Sequence, residues 1–323
     1  MSTLDSLQII SATPESLGEV LSLVFSNHEP QDALNRVRAA LAEYRSGRLP
    51  LAGLLAARRA GDLVGASFAQ VLPGRMATFW LPRLVPQEPE ETAEKLVSVA
   101  VGHARDAGVR VVHALLDGQR DAGDVERLER AGFSRLAELY YLVAESHEFP
   151  AMPPAHALTF EPCTPEKHER LCTVVEATYE ETLDCPDLDG IRSAEEVLEG
   201  YGASRGNYPP HWFFIRHEQR DVGCLLLADY GEYGNCELTY MGLVPSARGN
   251  GWGLVVTRYA EWVARSLQRD RVVLAVDSAN QPARNMYAAA GFRGWDRRQV
   301  YMLALQRQTG GAESAEGGNP ANG

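Results

Sequence analysis

Two triplets recur at one spacing, and that repeat limits the fold more than any other feature. Leu84-Val85-Pro86 returns as Leu243-Val244-Pro245, and Ala131-Gly132-Phe133 returns as Ala290-Gly291-Phe292, each 159 residues later in a chain of 323. The stretches between them match in kind. Glu94 to His103 reads as a helix followed by the strand VRVVHALLD, and Leu254 to Ala264 reads as a helix followed by DRVVLAVD. Upstream, GDLVGASFAQV and RDVGCLLLADY both read as a turn and an alternating strand. Self-similarity at a fixed period means repeated architecture. The expectation is two copies of one α/β fold, residues 1–150 and 157–306, joined through the Pro-rich FPAMPPAH at 149–156. The end, 307–323, is rich in Gly, Ala, Ser and Asn and reads as a disordered tail.

In the second copy, hydrophobic periodicity predicts helices over 164–180, 193–203, 251–267 and 281–290. Strands are predicted over 211–217, 222–229, 235–244, 271–277 and 297–305. The strand ending at Val244 runs into VPSARGNGWG, where Gly249, Gly251 and Gly253 alternate with larger residues behind Arg248. The first N–H groups of a helix have no partner within it, and the helix dipole makes that end partly positive. Glycines let a phosphate approach the backbone, and an arginine adds a fork of donors. The loop therefore reads as a pyrophosphate cradle, set against a plain tight turn that uses glycine for its positive φ. A dinucleotide fingerprint fails because its third glycine would fall on Leu254, and no Lys-Ser/Thr follows for a P-loop.

The first copy departs at this place. Pro89, Thr92 and Glu94 stand where Arg248, Gly251 and Gly253 stand in the second, and Glu88, Glu90, Glu91 and Glu94 line the loop. Carboxylates at a helix start suit the dipole and replace an anion rather than bind one. Leu128 takes the position of Tyr287. The first copy is thus expected to keep the fold without a cofactor loop.

Composition narrows the partners. A net charge of −12 and a pI near 5.2 leave no basic stripe for nucleic acid. No run is long and apolar enough to span a membrane, and the N-terminus lacks the basic region of a secretory signal. Five cysteines without metal-ligand spacing suggest reduced thiols, a cytoplasmic setting and no metal centre.

The spacing Arg248-Gly249-Asn250-Gly251-Trp252-Gly253 resembles the acetyl-CoA signature of the GCN5-related N-acetyltransferases, the GNAT family. NQPARNMYAAAGF at 280–292 is similar to that family's second landmark on Asn280, Ala283, Tyr287, Gly291 and Phe292. The tandem arrangement, with Asp184-Cys185-Pro186, Trp212 and Tyr240-Met241-Gly242-Leu243, is similar to mycothiol synthase, in which two such domains are fused. The resemblance implies two GNAT-like domains, each a mixed β-sheet flanked by helices. It implies acetyl-CoA as co-substrate, bound by Arg248 to Gly253, Asn280 and Tyr287, with a primary amine or a peptide N-terminus as acceptor.

It also implies that backbone N–H groups at Leu243 and Val244 polarise the thioester carbonyl, and that Tyr287 protonates the leaving thiolate. The alternative for Tyr287 is a core aromatic beside Phe292. For the base, period-two alternation puts Glu237, Thr239 and Met241 on one strand face, and Glu237 stands as the candidate beside a water chain. Between Glu176 and Glu199 carboxylates face a single Arg192. Asp184 and Asp187 are the candidate acceptor contacts, against the alternative of a solvated face. The contrasting functional reading is a non-catalytic CoA-binding or protein-interaction module.

Overall fold

Alternating residues set the strands, and each strand's two faces pack against different helices, so the chain forms three layers. The computed structural model describes residues 6–117, 122–155, 157–188, 190–202 and 208–305. The tail expected at 307–323 lies outside the described residues. The first half runs β1 (Gln8–Ser11), α1 (Leu17–Val24), α2 (Pro30–Arg45), β2 (Leu54–Arg59), β3 (Asp62–Leu72), β4 (Met76–Leu84), α3 (Glu90–Asp106), β5 (Val111–Leu116), α4 (Ala122–Arg130) and β6 (Ser134–Glu145). The second half repeats that order as β7 (Leu158–Pro162), α5 (His168–Tyr179), α6 (Ala194–Gly200), β8 (Trp212–His217), β9 (Arg220–Tyr230), β10 (Asn235–Leu243), α7 (Trp252–Ser266), β11 (Arg271–Asp277), α8 (Gln281–Ala289) and β12 (Arg293–Ala304). The opening strands β1 and β7 add to the expected order. QIIS and LTFEP are too short for alternation to mark them.

On β2, Leu54 and Ala56 pack with α1, while Leu55 and Ala57 pack with α3. On β9, Cys224 and Leu226 face α5 and α6, while Leu225 and Leu227 face α7. Helices α1, α2, α5 and α6 therefore cover the front of the sheet, and α3 and α7 its back.

Among the described residues twelve strands join one sheet, in the order β1-β2-β3-β4-β5-β12-β6-β11-β10-β9-β8-β7. The centre of that order is an exchange. The last strand of the first half, β6, lies antiparallel to β11 of the second, and the last strand of the second, β12, lies antiparallel to β5 of the first. β6 and β12 then pair with each other. The cores follow the strands. Leu142, Ala144 and Phe149 complete the core under α7, and Tyr301 and Leu305 complete the core under α3. The Pro-rich join separates the halves along the chain but not within the sheet.

In each half two parallel strands pair briefly and then part. β10 pairs with β11 only from Asn235–Glu237 to Arg271–Val273, and β4 with β5 only from Met76–Thr78 to Val111–His113. Beyond those residues each pair opens into a V. A β-bulge in β10 falls between Leu238 and Tyr240, with Thr239 as the extra residue against β9. β4 carries a matching irregularity between Trp80 and Arg83.

The exchange is expected to make the halves one cooperative unit. Unfolding in urea, followed by tryptophan fluorescence and circular dichroism, is expected to show one coincident transition. Leu142→Ala in the first half should lower the stability of that single transition by about 2–5 kcal/mol. Two separable transitions would show that each half stands alone.

Candidate active site between β10 and β11

The V between β10 and β11 is a cleft of about 420 Å³. Its walls are Leu238 to Leu243 of β10, Ala275 and Val276 of β11, Asn280, Pro282, Ala283 and Tyr287 around α8, Thr178 at the end of α5, Glu181 to Asp184 after it, and Arg248 and Gly249 of the loop before α7. Strand divergence removes the ladder partner on the β11 side of β10. Val244 N–H donates to Val222 O at 3.0 Å, toward β9. Alternation then turns the N–H groups of Met241 and Leu243 the other way, into the opening. Of the two residues expected to polarise a carbonyl, Leu243 keeps a donor aimed at the cleft and Val244 does not.

At the mouth, Gly249 (φ 79°) and Gly251 (φ 72°) are both left-handed, and Gly251 is the N-cap of α7. These φ values explain the glycines as turn residues. Space explains them as well, since a Cβ added at either would meet nothing within 4 Å. The N–H groups of Gly249, Asn250 and Gly251 find no acceptor among the described residues. Gly253 is different, because a Cβ there would come within 2.5 Å of Met286 Sδ. It lets α7 pack on α8 rather than opening space for a ligand. Trp252 turns its ring to His217, 4.6 Å away between centroids.

Arg248 lines the cleft, and its side chain is engaged by main-chain carbonyls. Its Nε donates to Leu243 O at 3.0 Å, and its terminal nitrogens donate to Thr178 O, Glu180 O and Glu181 O at 3.0, 2.8 and 3.1 Å. Its backbone N–H donates to Pro245 O. A guanidinium over the carbonyls that end α5 satisfies orphan acceptors and suits the dipole. The residue expected to grip an anion ties α5 to the end of β10. Asn250 Nδ2 similarly donates to Ala247 O and Arg248 O, within the loop. Asn280 lines the cleft as the N-cap of α8, accepting from Ala283 N–H at 3.2 Å.

Tyr287 is 6% exposed and lies against Phe292, with ring centroids 5.5 Å apart. It also lines the cleft, so the two readings of the residue are compatible. Burial first, and the charge of Asp184 second, raise its phenol above the ordinary range. Asp184 stands in the same cleft. Its carboxyl accepts from Asp277 N–H at 3.1 Å, while Asp277 Oδ2 accepts from Cys185 N–H at 3.3 Å. Asp184 itself is open to solvent, but the protein packed around it raises its pKa, the Asp277 N–H opposes that shift, and the Asp277 charge adds to it.

The reciprocal bonds pin the loop after α5 to the end of β11. Asp277, only 4% exposed, was not singled out from the sequence, and its place at the end of a strand was the available signal. Thr239 was also missed as a site residue. Its hydroxyl, in the bulge, is buried in the cleft wall without a partner.

Two expected site residues lie off the cleft. Asp187 is exposed and is not among the lining residues. Glu237 pairs with Val273 where β10 and β11 still touch, at the closed end of the V. The bulge at Thr239 breaks the alternation that had grouped Glu237 with Met241. Met241 packs instead with the core under α7.

Residues 175–292, which hold the cleft, match the model of the Acetyltransferase (GNAT) family. The second half is thus similar to a GNAT domain. A GNAT-related acetyltransferase from Sphaerobacter thermophilus superimposes with a TM-score of 0.61 at 15% identity, covering 92% of this chain and 95% of that one. A tandem GNAT protein from the clavulanic acid biosynthesis pathway gives 0.51 at 16%, covering 93% and 98%. A glucosamine N-acetyltransferase region of a fungal multi-domain β-N-acetylglucosaminidase gives 0.55 at 14%, covering 93% of this chain and 38% of that one. At these identities the likeness is one of fold. No curated protein matches the sequence.

The GNAT architecture recurs in the V between β4 and β5, but its space is filled. Arg83, at the repeat position of Gly242, reaches Asp124 through two bonds of 2.8 and 3.0 Å. Arg127 joins Asp124 to Glu90, and Glu88 and Glu94 are held by Arg59 and Arg130. About 130 Å³ remains. Gly242 explains the contrast, since a Cβ there would strike Thr178 at 2.6 Å. Among the described residues no cluster could hold a metal ion, and no helix is long and apolar enough to cross a membrane.

If Arg248 is a tie, Arg248→Ala should destabilise the fold even without ligand. The loss of charge-assisted bonds to main-chain carbonyls should cost about 1.5–3 kcal/mol. Urea denaturation of the free protein reads it, and unchanged stability would return Arg248 to ligand binding.

Proposed function

We propose that the chain is an N-acetyltransferase that moves an acetyl group from acetyl-CoA to a primary amine, with its chemistry in the second half. One observation carries this reading. Unpaired N–H groups at Gly249 to Gly251 stand at the mouth of a cleft whose inner walls present Asp184 and Tyr287. The loop would take the pyrophosphate of CoA, and the uncovered edge of β10 would carry the pantetheine chain. Leu243 N–H, with Met241 N–H one step deeper, would polarise the thioester carbonyl. The Thr239 hydroxyl offers one further polar contact.

The step balances with two groups. The amine nitrogen attacks the carbonyl carbon, its proton passes to the Asp184 carboxylate, and the C–S bond breaks. Tyr287, kept neutral by burial, gives its proton to the leaving thiolate. The proton on Asp184 returns to the tyrosine through solvent. In this reading Asp184, expected as an acceptor contact, replaces Glu237 as the base.

The first half holds no CoA and serves as scaffold. The acceptor is a small amine or a peptide N-terminus, in a cytoplasmic setting. The glucosamine N-acetyltransferase region among the structural neighbours puts amino sugars on the acceptor panel. Charge-filled space between β4 and β5, together with the acidic surface, argues against nucleic acid as partner.

Calorimetry with CoA should find a single site per chain. Gly251→Asn keeps a residue that tolerates the left-handed turn, and Gly251→Asp adds charge at the same place. The Asp variant should bind CoA at least about tenfold more weakly than the Asn variant, as a charge of the wrong sign at a helix start requires. Equal affinities, or two CoA sites, would overturn the assignment.

Steady-state kinetics on an amine panel tests the chemistry. Asp184→Asn and Tyr287→Phe should each lower kcat by about 10²–10⁴-fold while CoA affinity changes little. Asp184 acts as a base only when ionised, and the protein packed around it raises its pKa. Activity should therefore fall as pH drops through a value higher than that of an ordinary aspartate, and that limb should vanish in Asp184→Asn. Tight CoA binding with no turnover of any amine would favour the non-catalytic binding module.

A further inference from the structure

Between the two sets of front helices, the central strands leave a face uncovered. On β10, Cys236 and Leu238 point to the core under α7, so Glu237 points to the front. On β11, Val272, Leu274 and Val276 point back, so Val273 and Ala275 point forward. Ala275 is exposed and lines the cleft. Directly opposite Ala275 on the exchanged strand β6 is Tyr141. Its neighbour Tyr140 packs with the core behind, which puts Tyr141 on the front face. Tyr230 lies on β9 opposite Asn235, two residues from Glu237 and on the same face.

Glu237 is thus a carboxylate framed by two tyrosines at the closed end of the V. Both phenols respond to its charge. Burial alone raises its own pKa, and it has neither an ion pair nor a hydrogen bond among the described residues. Nearby charge is already balanced, because Arg298 pairs with Asp296 at 2.9 Å while lying 4.9 Å from the Tyr141 ring centre. Tyr230 is 43% exposed, and Trp295, edge-on to Tyr141, is 58% exposed, so the face is open. A half-buried carboxylate without a counter-ion, flanked by aromatic rings, has the chemistry of an ammonium subsite.

We propose that Glu237, Tyr230 and Tyr141 form a second cation subsite, beside the transfer cleft, for an acceptor that carries a positive charge besides the reacting amine. The proposal rests on the acetyltransferase reading and deepens it. The reacting amine sits at Asp184 within the cleft, and the second ammonium sits at Glu237. Tyr141 comes from the first half, so the strand exchange gives that half a part in choosing the acceptor. Glu237 acts in recognition and not as the base.

Calorimetry on the full chain tests this with 1,4-diaminobutane and n-butylamine, which share a carbon frame and differ by one charge. Each amine is titrated into free protein and into CoA-saturated protein. The diamine should bind about tenfold more tightly than the monoamine, the scale of one charged contact at a partly buried site. Glu237→Gln should remove that preference and leave n-butylamine and CoA affinities unchanged. Tyr141→Phe keeps the ring and should keep the preference, whereas Tyr141→Leu should reduce it by about threefold. Equal binding of the two amines by the unmodified protein, or an undiminished preference in Glu237→Gln, overturns the subsite. The titration of CoA alone reports separately on the acetyltransferase reading, because its failure would leave the diamine preference of the free protein readable.

Discussion

Everything in this molecule depends on the pairing of β6 with β11 and of β12 with β5. A sheet edge left open exposes a row of backbone donors and acceptors. Here the two central edges close on each other's last strand, so neither half retains a complete sheet or core without the other. The V between β10 and β11 is rigid on its far side because β6 runs antiparallel along the whole of β11, from Glu145 opposite Arg271 to Leu139 opposite Asp277. The second half owes the fixed wall of its cleft to the first.

The two halves show how one backbone supports opposite outcomes. Both place parallel strands that part after a few residues, and both follow the gap with a helix. In one, glycines at 242, 249 and 251 leave the gap and its mouth open. In the other, Arg83 enters at the matching position and Asp124 meets it, with Arg127 and Glu90 extending the chain of charge. A buried ion pair of this kind must be well coordinated to offset its desolvation. The bidentate geometry and the third and fourth partners supply that coordination.

The repeat, the element order and the cleft-forming strand were legible because they are local. The triplets at 84–86 and 243–245 mark strand ends, and the predicted elements of the second half fall within a few residues of those observed. The exchange was not legible, because alternation in β6 and β12 marks them as strands without saying which neighbour they join. The main-chain contacts of the Arg248 side chain were not legible for a related reason. Its spacing to the glycines is local, but its acceptors belong to residues 178–181, far away in sequence. For Glu237 the grouping with Met241 on one face failed because of a single inserted residue. The bulge at Thr239 shifts the faces of β10, and nothing in CELTYMGL announces it. Asp184 was found for its charge and its setting in a loop, while its bond to Asp277 came only from the fold.

The central position of β12 has a consequence for synthesis on the ribosome. Chains emerge from the N-terminus, and β5 is finished long before its partner exists, since Val111 to Leu116 wait for Gln299 to Ala304. The last strand to be made is thus the one that enters the middle of the sheet. Until it leaves the exit tunnel, the β5 edge stays unpaired, and β6 has at most β11 beside it. Nascent chains of this protein pass through a stage in which long-range strand edges are open to other chains. Chaperones that shield such edges, or slow synthesis that prolongs the stage, would act on its yield without touching the finished fold.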